Sequence, residues 1–466
     1  MEHVKKTRFR HGLITLVVTI MIMFVMVVGF DASPHVPLIL GCTFAGLMAK
    51  YLGYRWEDIL DGILQGIIPS LEAMLILILI GILIAAWIGA GTVPAMIYYG
   101  LELISAKYFV VAVMIICSVI AMAVGSWGTA GTVGLAFMGI GAVLQINPAL
   151  TAGAIISGAY MGEALSPLSD ATNLVAAVGR ESVFDVSKHE AKLVLPAYIA
   201  AAAAFTIVGR MHAPKEGTAI QENIEPLMNS LQDNFYISPL DLIPMFLMVG
   251  CILIKVPAIP SIMVGIGAAM VQAAAVQKAD ISLMIESCYS GYVSDTGEAM
   301  IDNLLSAGGI TAMMYSVTVV LMAMAFGGLM QKTHQMEAVI TPILGKIESG
   351  AGMVRVTALT CILMNTILPD QYLGISVPGQ MYGEEYEKRD ISRLFLTDTL
   401  SCAATVTSPL IPWNTCGAYM MTVLGVSAME YMKFAYFNIL SIIVVLTAGV
   451  VLASADQKKA RKNRKL

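Results

Sequence analysis

The chain has 466 residues, of which 58% are hydrophobic and 13% charged, with a net charge of −5 and a mean hydropathy of +0.79. A soluble globular chain carries about a quarter charged residues, so this composition excludes a soluble fold and makes the lipid bilayer the solvent. No nucleic-acid partner is expected, and the net charge itself says little, because a membrane protein sorts its charges by side.

In chain order, long apolar runs cover 12–30, 71–90, 109–124, 193–208, 313–330 and 434–453. Each is near the ~20 residues that a helix needs to cross a bilayer. With the shorter apolar pieces that Gly or Pro interrupts, ten to twelve crossings are expected. The first run follows Lys5, Lys6, Arg8 and Arg10, as a signal peptide would. It is longer than a signal's apolar part and no small-residue cleavage site follows, so it reads as a retained first transmembrane helix. Seven cysteines form no CxxC pair and six histidines show no metal spacing; the cysteines read as small buried hydrophobes.

Lys and Arg cluster from Lys5 to Arg10 and from Lys458 to Lys465. The positive-inside rule then places both termini in the cytoplasm and makes the number of crossings even. Lys50 and Arg55 mark one inside loop, and Arg180, Lys188 and Lys192 another. The acidic, polar stretch 216–233 fits an external linker. The expected organisation is a first repeat over 1–212, a linker over 213–235, a second repeat over 236–455 and a basic tail over 456–466.

The stretch that carries chemistry is Gly162-Glu163-Ala164-Leu165-Ser166-Pro167-Leu168-Ser169-Asp170-Ala171-Thr172-Asn173. Ser166-Pro167 reads as a helix start, with Ser at the N-cap and Pro at the first helical position. From there Ser166, Asp170 and Asn173 fall at i, i+4 and i+7 on one face. A hydroxyl, a carboxylate and an amide oxygen suit a small hard cation. Asp170 and Asn173 are therefore the expected ligands of such a cation, and Asp170 can also carry a proton.

The two halves resemble each other. Ser166-Pro167-Leu168 recurs as Ser408-Pro409-Leu410, 242 residues on (408 − 166). About forty residues before each lies a polar interruption of an apolar helix: Gly125-Ser126-Trp127-Gly128-Thr129-Ala130-Gly131-Thr132 in the first half, Asn365-Thr366-Ile367-Leu368-Pro369-Asp370-Gln371-Tyr372 in the second. A matched pair of broken hydrophobic segments points to the binding site of a secondary transporter. If each half has an odd number of crossings, the repeats are inverted.

In the first interruption, glycines at spacing three serve either close helix packing or an unwound segment whose hydroxyls, Thr129 among them, bind an ion. Unwound backbone is tolerated only where protein or a water-filled cavity buries it. In the second, Pro369 should free the carbonyl of Asn365. Asp370 is then an intramembrane carboxylate, functional by default, or else a helix cap at the water interface. Ser408, Asn414 and Thr415 add oxygens but no carboxylate where Asp170 would map. The expected ion-binding set is Asp170, Ser166, Asn173, Thr129, Asp370, Ser408, Asn414 and Thr415, with Asp170, Glu163 and Asp370 as proton carriers. Arg393 and Asp398 read as a structural pair, or Arg393 as a partner for a substrate carboxylate. A channel is the rival class. No Ser–His, HExxH or GxSxG arrangement supports an enzyme.

The 162–174 stretch, Asp370-Gln371-Tyr372 and Ser408-Pro409-Leu410-Ile411-Pro412-Trp413-Asn414-Thr415-Cys416-Gly417 resemble the NhaC family of sodium/proton antiporters. Leu304-Leu305-Ser306, Gly308-Gly309-Ile310 and Phe326-Gly327-Gly328 resemble it too. That family also contains malate/lactate antiporters. The resemblance implies an all-α integral membrane protein of the bacterial plasma membrane. It implies two inverted repeats with broken helices and re-entrant hairpins, and an elevator-type transport domain beside a scaffold that forms a homodimer. It implies Na⁺ and H⁺ as transported ions with no cofactor, and, as the alternative, a small carboxylate as cargo. The family's second-half motif often has an acidic pair near Asp398, where this chain has Leu396-Thr397-Asp398.

Overall fold

A computed structural model of the chain describes residues 7–30, 32–103, 106–212, 219–254, 256–344, 349–367 and 370–463. Among them every regular element is helical. The first half runs α1 (Phe9–Met23), α2 (His35–Leu52), α3 (Trp56–Ile67), α4 (Leu71–Gly89), α5 (Thr92–Leu103), α6 (Phe109–Thr129), α7 (Leu135–Val143), α8 (Pro148–Leu165), α9 (Asp170–Gly179) and α10 (Val183–His212). Then come α11 (Ala219–Asn234), α12 (Ile243–Leu253), α13 (Ala258–Ala275), α14 (Ile281–Ser290), α15 (Ala299–Leu305), α16 (Gly309–Lys332) and α17 (Gln335–Leu344). The chain closes with α18 (Gly350–Ile367), α19 (Gln371–Lys388), α20 (Arg393–Leu400), α21 (Thr415–Leu424), α22 (Ala428–Tyr431), α23 (Tyr436–Val444) and α24 (Val450–Asn463). The polar stretch read as a linker contains α11; residues 213–218 lie outside the described ones.

The chain is a multi-pass membrane protein. Eight helices of the described residues are long and apolar enough to cross a bilayer, and ten if each of two bent pairs counts as one span. The bent pairs are Met228–Asn234 with Pro239–Leu253, at 83°, and Arg393–Leu410 with Thr415–Leu424, at 47°. The expected ten to twelve is reached only at its lower edge, because two stretches each run on past an internal irregularity: Trp56–Gly89 (34 residues) and Ala106–Val143 (38 residues).

Packing sorts the helices into two groups. In one, α16 lies against α2, α3 and α4, while α4 also packs on α13 and α14, and α1 joins α2 to α17. In the other, α6 packs on α8, α10 on α8, α20 and α23, and α18 on α19, α20 and α24. Lipid tails are as apolar as leucine, so helices associate in a membrane through close approach. The α6–α8 pair shows how: a Cβ on Gly158 or Gly162 would collide with the backbone carbonyl of Met114 or Ser118. Contacts of α21 with α16, and of α12 with α6, join the groups.

Candidate functional site

The 162–173 stretch forms a tight hairpin whose second helix starts three residues later than its sequence suggests. α8 ends at Leu165 with Ser166 as its C-cap, and α9 begins at Asp170 with Ser169 in the extended N-cap position. Ser166 is not the N-cap because its hydroxyl donates to the Met122 carbonyl of α6 at 2.6 Å and accepts from the Leu168 N–H at 3.1 Å. Pro167 therefore occupies the turn between the helices. Thr172 closes the hairpin, its hydroxyl donating to the carbonyls of Glu163 at 2.8 Å and Ala164 at 3.2 Å in the last turn of α8, where the Ser166 N–H also reaches the Glu163 carbonyl. Asp170 and Asn173 share α9, but Ser166 faces away toward α6. The Asn173 amide nitrogen donates to the carbonyls of Pro167 and Ser169.

The first interruption is a true break. Gly125 has φ 74° and ψ 175° inside α6, a conformation essentially reserved for glycine. Thr129 donates to the Gly125 carbonyl at 2.8 Å and Thr132 to that of Gly128 at 2.6 Å. A π-helical turn, Ala130–Gly134, follows. Beyond the break, Trp127 stacks on Tyr419 of α21 at 4.6 Å, and the Tyr419 hydroxyl donates to the Trp127 carbonyl at 2.6 Å.

In the second interruption Leu368 and Pro369 lie outside the described residues, Pro369's expected effect with them. Asp370 is the N-cap of α19, its carboxylate accepting from the Leu373 N–H at 3.0 Å. Asn365 ties the segment down: its amide donates to the Ala404 carbonyl at 2.6 Å and the Thr407 hydroxyl at 2.9 Å. Its own carbonyl accepts from the Asn414 amide at 3.1 Å. Here too the helix starts later than expected. Ser408–Leu410 is a single 3₁₀ turn, and α21 begins at Thr415 with Asn414 as N-cap, accepting from the Cys416 N–H at 3.1 Å.

These pieces meet around a cavity of about 440 Å³. Its polar wall holds Ser126 and Thr132 from the break, Glu163, Ser169, Asp170 and Asn173 from the hairpin, Gln371 and Tyr372 from α19, and Thr415 and Cys416 from α21. The facing wall is apolar: Ile76, Ile80 and Leu83 of α4 with Met248, Ile252 and Ile262 of α12 and α13. The cavity thus lies between the two groups of helices, and the N-termini of α9 and α21 both open on it. No Lys, Arg or His is among its lining residues within the described part of the chain.

Of the residues expected from sequence, Asp170, Asn173, Glu163 and Thr415 line the cavity, while Ser166, Thr129, Asp370, Ser408 and Asn414 do not. The latter group hold backbone or neighbours in place. Ser408, for instance, donates to the Gln371 side-chain carbonyl at 3.1 Å and to the Thr405 carbonyl at 2.7 Å. Asp370 stands one shell back, 3.5 Å from the Thr415 hydroxyl. Gln371 and Ser169 also line the cavity, and the only sequence signal for either is that Gln371 follows Asp370 in the Asp370-Gln371-Tyr372 motif. Arg393 pairs with Glu387 at 2.6 Å, and Asp398 pairs with His189 at 2.8 Å, so Arg393 reaches neither Asp398 nor the cavity.

Electrostatically the cavity is one-sided. Glu163 is 8% exposed, with one carboxylate oxygen 3.5 Å from the Ser169 hydroxyl and the other without a hydrogen-bond partner. The buried Ser126 hydroxyl is unpartnered too. The charge of Asp170 acts on Glu163. Asp170, by contrast, is exposed on the cavity; two carboxylates that line one cavity repel each other, so either a proton or a monovalent cation relieves the site.

Residues 158–451 match the Na⁺/H⁺ antiporter family. Over 463 residues, 99% of both chains, the sequence is 32% identical to the Na⁺/H⁺ antiporter NhaC of Alkalihalophilus pseudofirmus. It is 34% identical over 420 residues to the malate-2H⁺/Na⁺-lactate antiporter of Bacillus subtilis, covering 90% of this chain and 89% of that one. It is 32% identical over 449 residues to the arginine/ornithine antiporter ArcD of Halobacterium salinarum, covering 96% and 92%.

Proposed function

This chain belongs to the Na⁺/H⁺ antiporter family and is a secondary active antiporter, and we propose that it exchanges Na⁺ for H⁺ at the cavity, with Asp170 and Glu163 as the carboxylates that alternately hold the two ions. The observation that carries this reading is the pair of carboxylates, one with a free oxygen, in a cavity that no basic side chain of the described residues lines. Exchange needs no further machinery, since each bound ion excludes the other. Thr415, Asn173 and Ser126 lend oxygens, and Asp370 backs Thr415. Sodium added to inverted vesicles should dissipate a proton gradient reported by a quenched dye. Wild-type exchange in an Asp170→Asn, Glu163→Gln double variant would remove the reading.

The site belongs, on this proposal, to two inverted repeats, 1–212 and 236–455. Helix starts support the repeat: Pro148 and Arg393 (393 − 148 = 245), Asp170 and Thr415, and Val183 and Ala428 all lie 245 residues apart. The break at Gly125 and the cap at Asp370 keep the same interval. A cavity between two separately packed groups of helices suits an elevator, in which one group slides past the other. The basic termini support a bacterial plasma-membrane orientation with both ends, including the tail 456–466, in the cytoplasm; a homodimer completes the proposal. Cysteines placed at positions 222 and 458 should be labelled from opposite sides of the membrane.

A second reading keeps the site and adds a small carboxylate, exchanging malate for lactate as the Bacillus subtilis relative's name states. Two helix N-termini at the cavity favour it, since their free N–H groups suit an anion. The lack of a basic lining residue among the described ones favours the cation reading. Uptake of labelled malate into proteoliposomes separates them.

A further inference from the structure

Ion exchange at the cavity does not use the acid Glu190, which lies in a candidate membrane span. Glu190 of α10 is fully buried, and neither of its carboxylate oxygens has a hydrogen-bond partner. It lies where α10 packs on α20 and α23. The neighbouring His189 Nδ1 is 2.8 Å from one oxygen of Asp398, whose other oxygen is buried and unpartnered. The Ser401 hydroxyl and the Cys402 thiol, both in the π-helical turn Ser401–Thr405 that continues α20, adjoin Glu190. From α23 the buried Ser441 hydroxyl, also unpartnered, approaches Cys402. None of Glu190, Asp398 and His189 lines the cavity.

The charges in this pocket do not balance. The Asp398 carboxylate is the charge that acts on Glu190; Asp398 in turn feels His189 and Lys192, and Lys192 is exposed. Among the described residues no Lys, Arg or His is among the groups that act on Glu190; Arg393, the basic residue of α20, pairs with Glu387. A buried carboxylate with no cation and only a hydroxyl and a thiol beside it is more costly than a neutral acid. Such a group within a membrane segment marks a proton or ion path by default. A π-helical turn inside a helix is itself frequent at functional sites. His189 is the member that reaches the molecular surface, with 15% of its side chain exposed.

We propose that Glu190, Asp398 and His189 form a second proton-binding site at the seam of α10, α20 and α23, separate from the carboxylates of the cavity, whose loading sets the pH range of transport. One proton passes from solvent through the His189–Asp398 pair to a carboxylate oxygen of Glu190, forming its O–H bond; the reverse step returns it to water. α20 leads through the π-helical turn to Ser408 and on to Thr415 at the cavity. A change of charge at the α10–α20 contact therefore acts on the segment that supplies part of the ion site.

The test uses purified full-length protein in proteoliposomes. Infrared difference spectra between about pH 5 and 9 should show a protonated-carboxyl band that disappears with rising pH and is missing in Glu190→Gln. In the same variant the pH midpoint of the sodium-driven rate should move by about one unit or more. Half-saturation by Na⁺ at alkaline pH should stay within about twofold, as expected of a residue that does not line the cavity. Asp398→Asn and His189→Gln should move the midpoint too, and they carry the test if Glu190→Gln does not reach the membrane. A band that does not titrate in this window, or an unchanged midpoint in folded variants, would make Glu190 a structural neutral acid and overturn the proposal. Because the midpoint is read apart from Na⁺ half-saturation, this outcome leaves the cavity reading intact.

Discussion

Replacing Gly125 by alanine isolates what the break in α6 contributes. At φ 74° and ψ 175° an L-residue is strained by about 1–3 kcal/mol. Alanine also favours continuous helix over glycine by about 1 kcal/mol. The two terms point the same way, so the substitution should bias α6 toward a straight helix by roughly 2–4 kcal/mol, or about thirty-fold to several-hundred-fold, at ~1.4 kcal/mol per decade. Sterics do not confuse the result, because a Cβ at Gly125 meets no atom within 4 Å. Straightening would carry Ser126 out of the cavity wall and pull Trp127 off Tyr419. Sodium-driven dequenching in inverted vesicles, normalised to protein in the membrane, should fall at least about tenfold. Gly250→Ala in α12 is the control, since that glycine is helical and its Cβ also meets nothing within 4 Å; it should transport normally and be slightly more stable. Wild-type transport by Gly125→Ala would refute the claim that the break shapes the site.

Asn365→Ala should lower thermal stability by about 1–3 kcal/mol, since it leaves the Ala404 carbonyl buried without its donor; unchanged melting in detergent would show that the tie is dispensable. Thr172→Val should cost about 0.5–1.5 kcal/mol by removing the hydroxyl that closes α8, and Thr172→Ser should restore melting to near the wild-type value. Arg393→Gln should leave the response to Na⁺ concentration unaltered, because Arg393 pairs with Glu387 outside the cavity; a raised Na⁺ half-saturation would contradict that placement.

Much of the site is legible in the sequence because intramembrane Gly, Pro and carboxylates are costly unless they serve something. The Gly125 interruption, the Ser-Pro-Leu pair and Asp170 all stand out from apolar surroundings for that reason. What the sequence could not settle was phase. Ser166 and Ser169 are equally good N-cap residues, and only the Met122 carbonyl, 44 residues away in the chain, occupies the first and leaves the cap to the second. Thr129 and Thr132 differ by less than one turn, yet the break and the π-helical turn put Thr132 at the cavity and Thr129 behind it. Pairings between distant segments were equally out of reach. His189 and Asp398 lie 209 residues apart, and Arg393, which reads as a natural partner for Asp398 five residues on, instead turns back to Glu387. Glu163 is the reverse case. It reads as a secondary proton carrier, and its burial with one unpartnered oxygen brings it level with Asp170.

The central claim is that one pair of carboxylates serves both ions, and competition gives it a definite signature. Protonation removes the charge that holds Na⁺, so Na⁺ affinity must be full at alkaline pH and must weaken as pH falls through the carboxylates' titration. Half-saturation by Na⁺ should be measured in proteoliposomes from about pH 6 to 9, where buried carboxylates can titrate. The account predicts a plateau at the alkaline end and, below it, a half-saturating concentration that rises toward about tenfold per pH unit, the limit set by mass action. Asp170→Asn or Glu163→Gln should flatten that slope. A half-saturating Na⁺ concentration that stays constant across the whole range in the wild-type protein would contradict the account, because it would mean that Na⁺ and H⁺ bind to different groups.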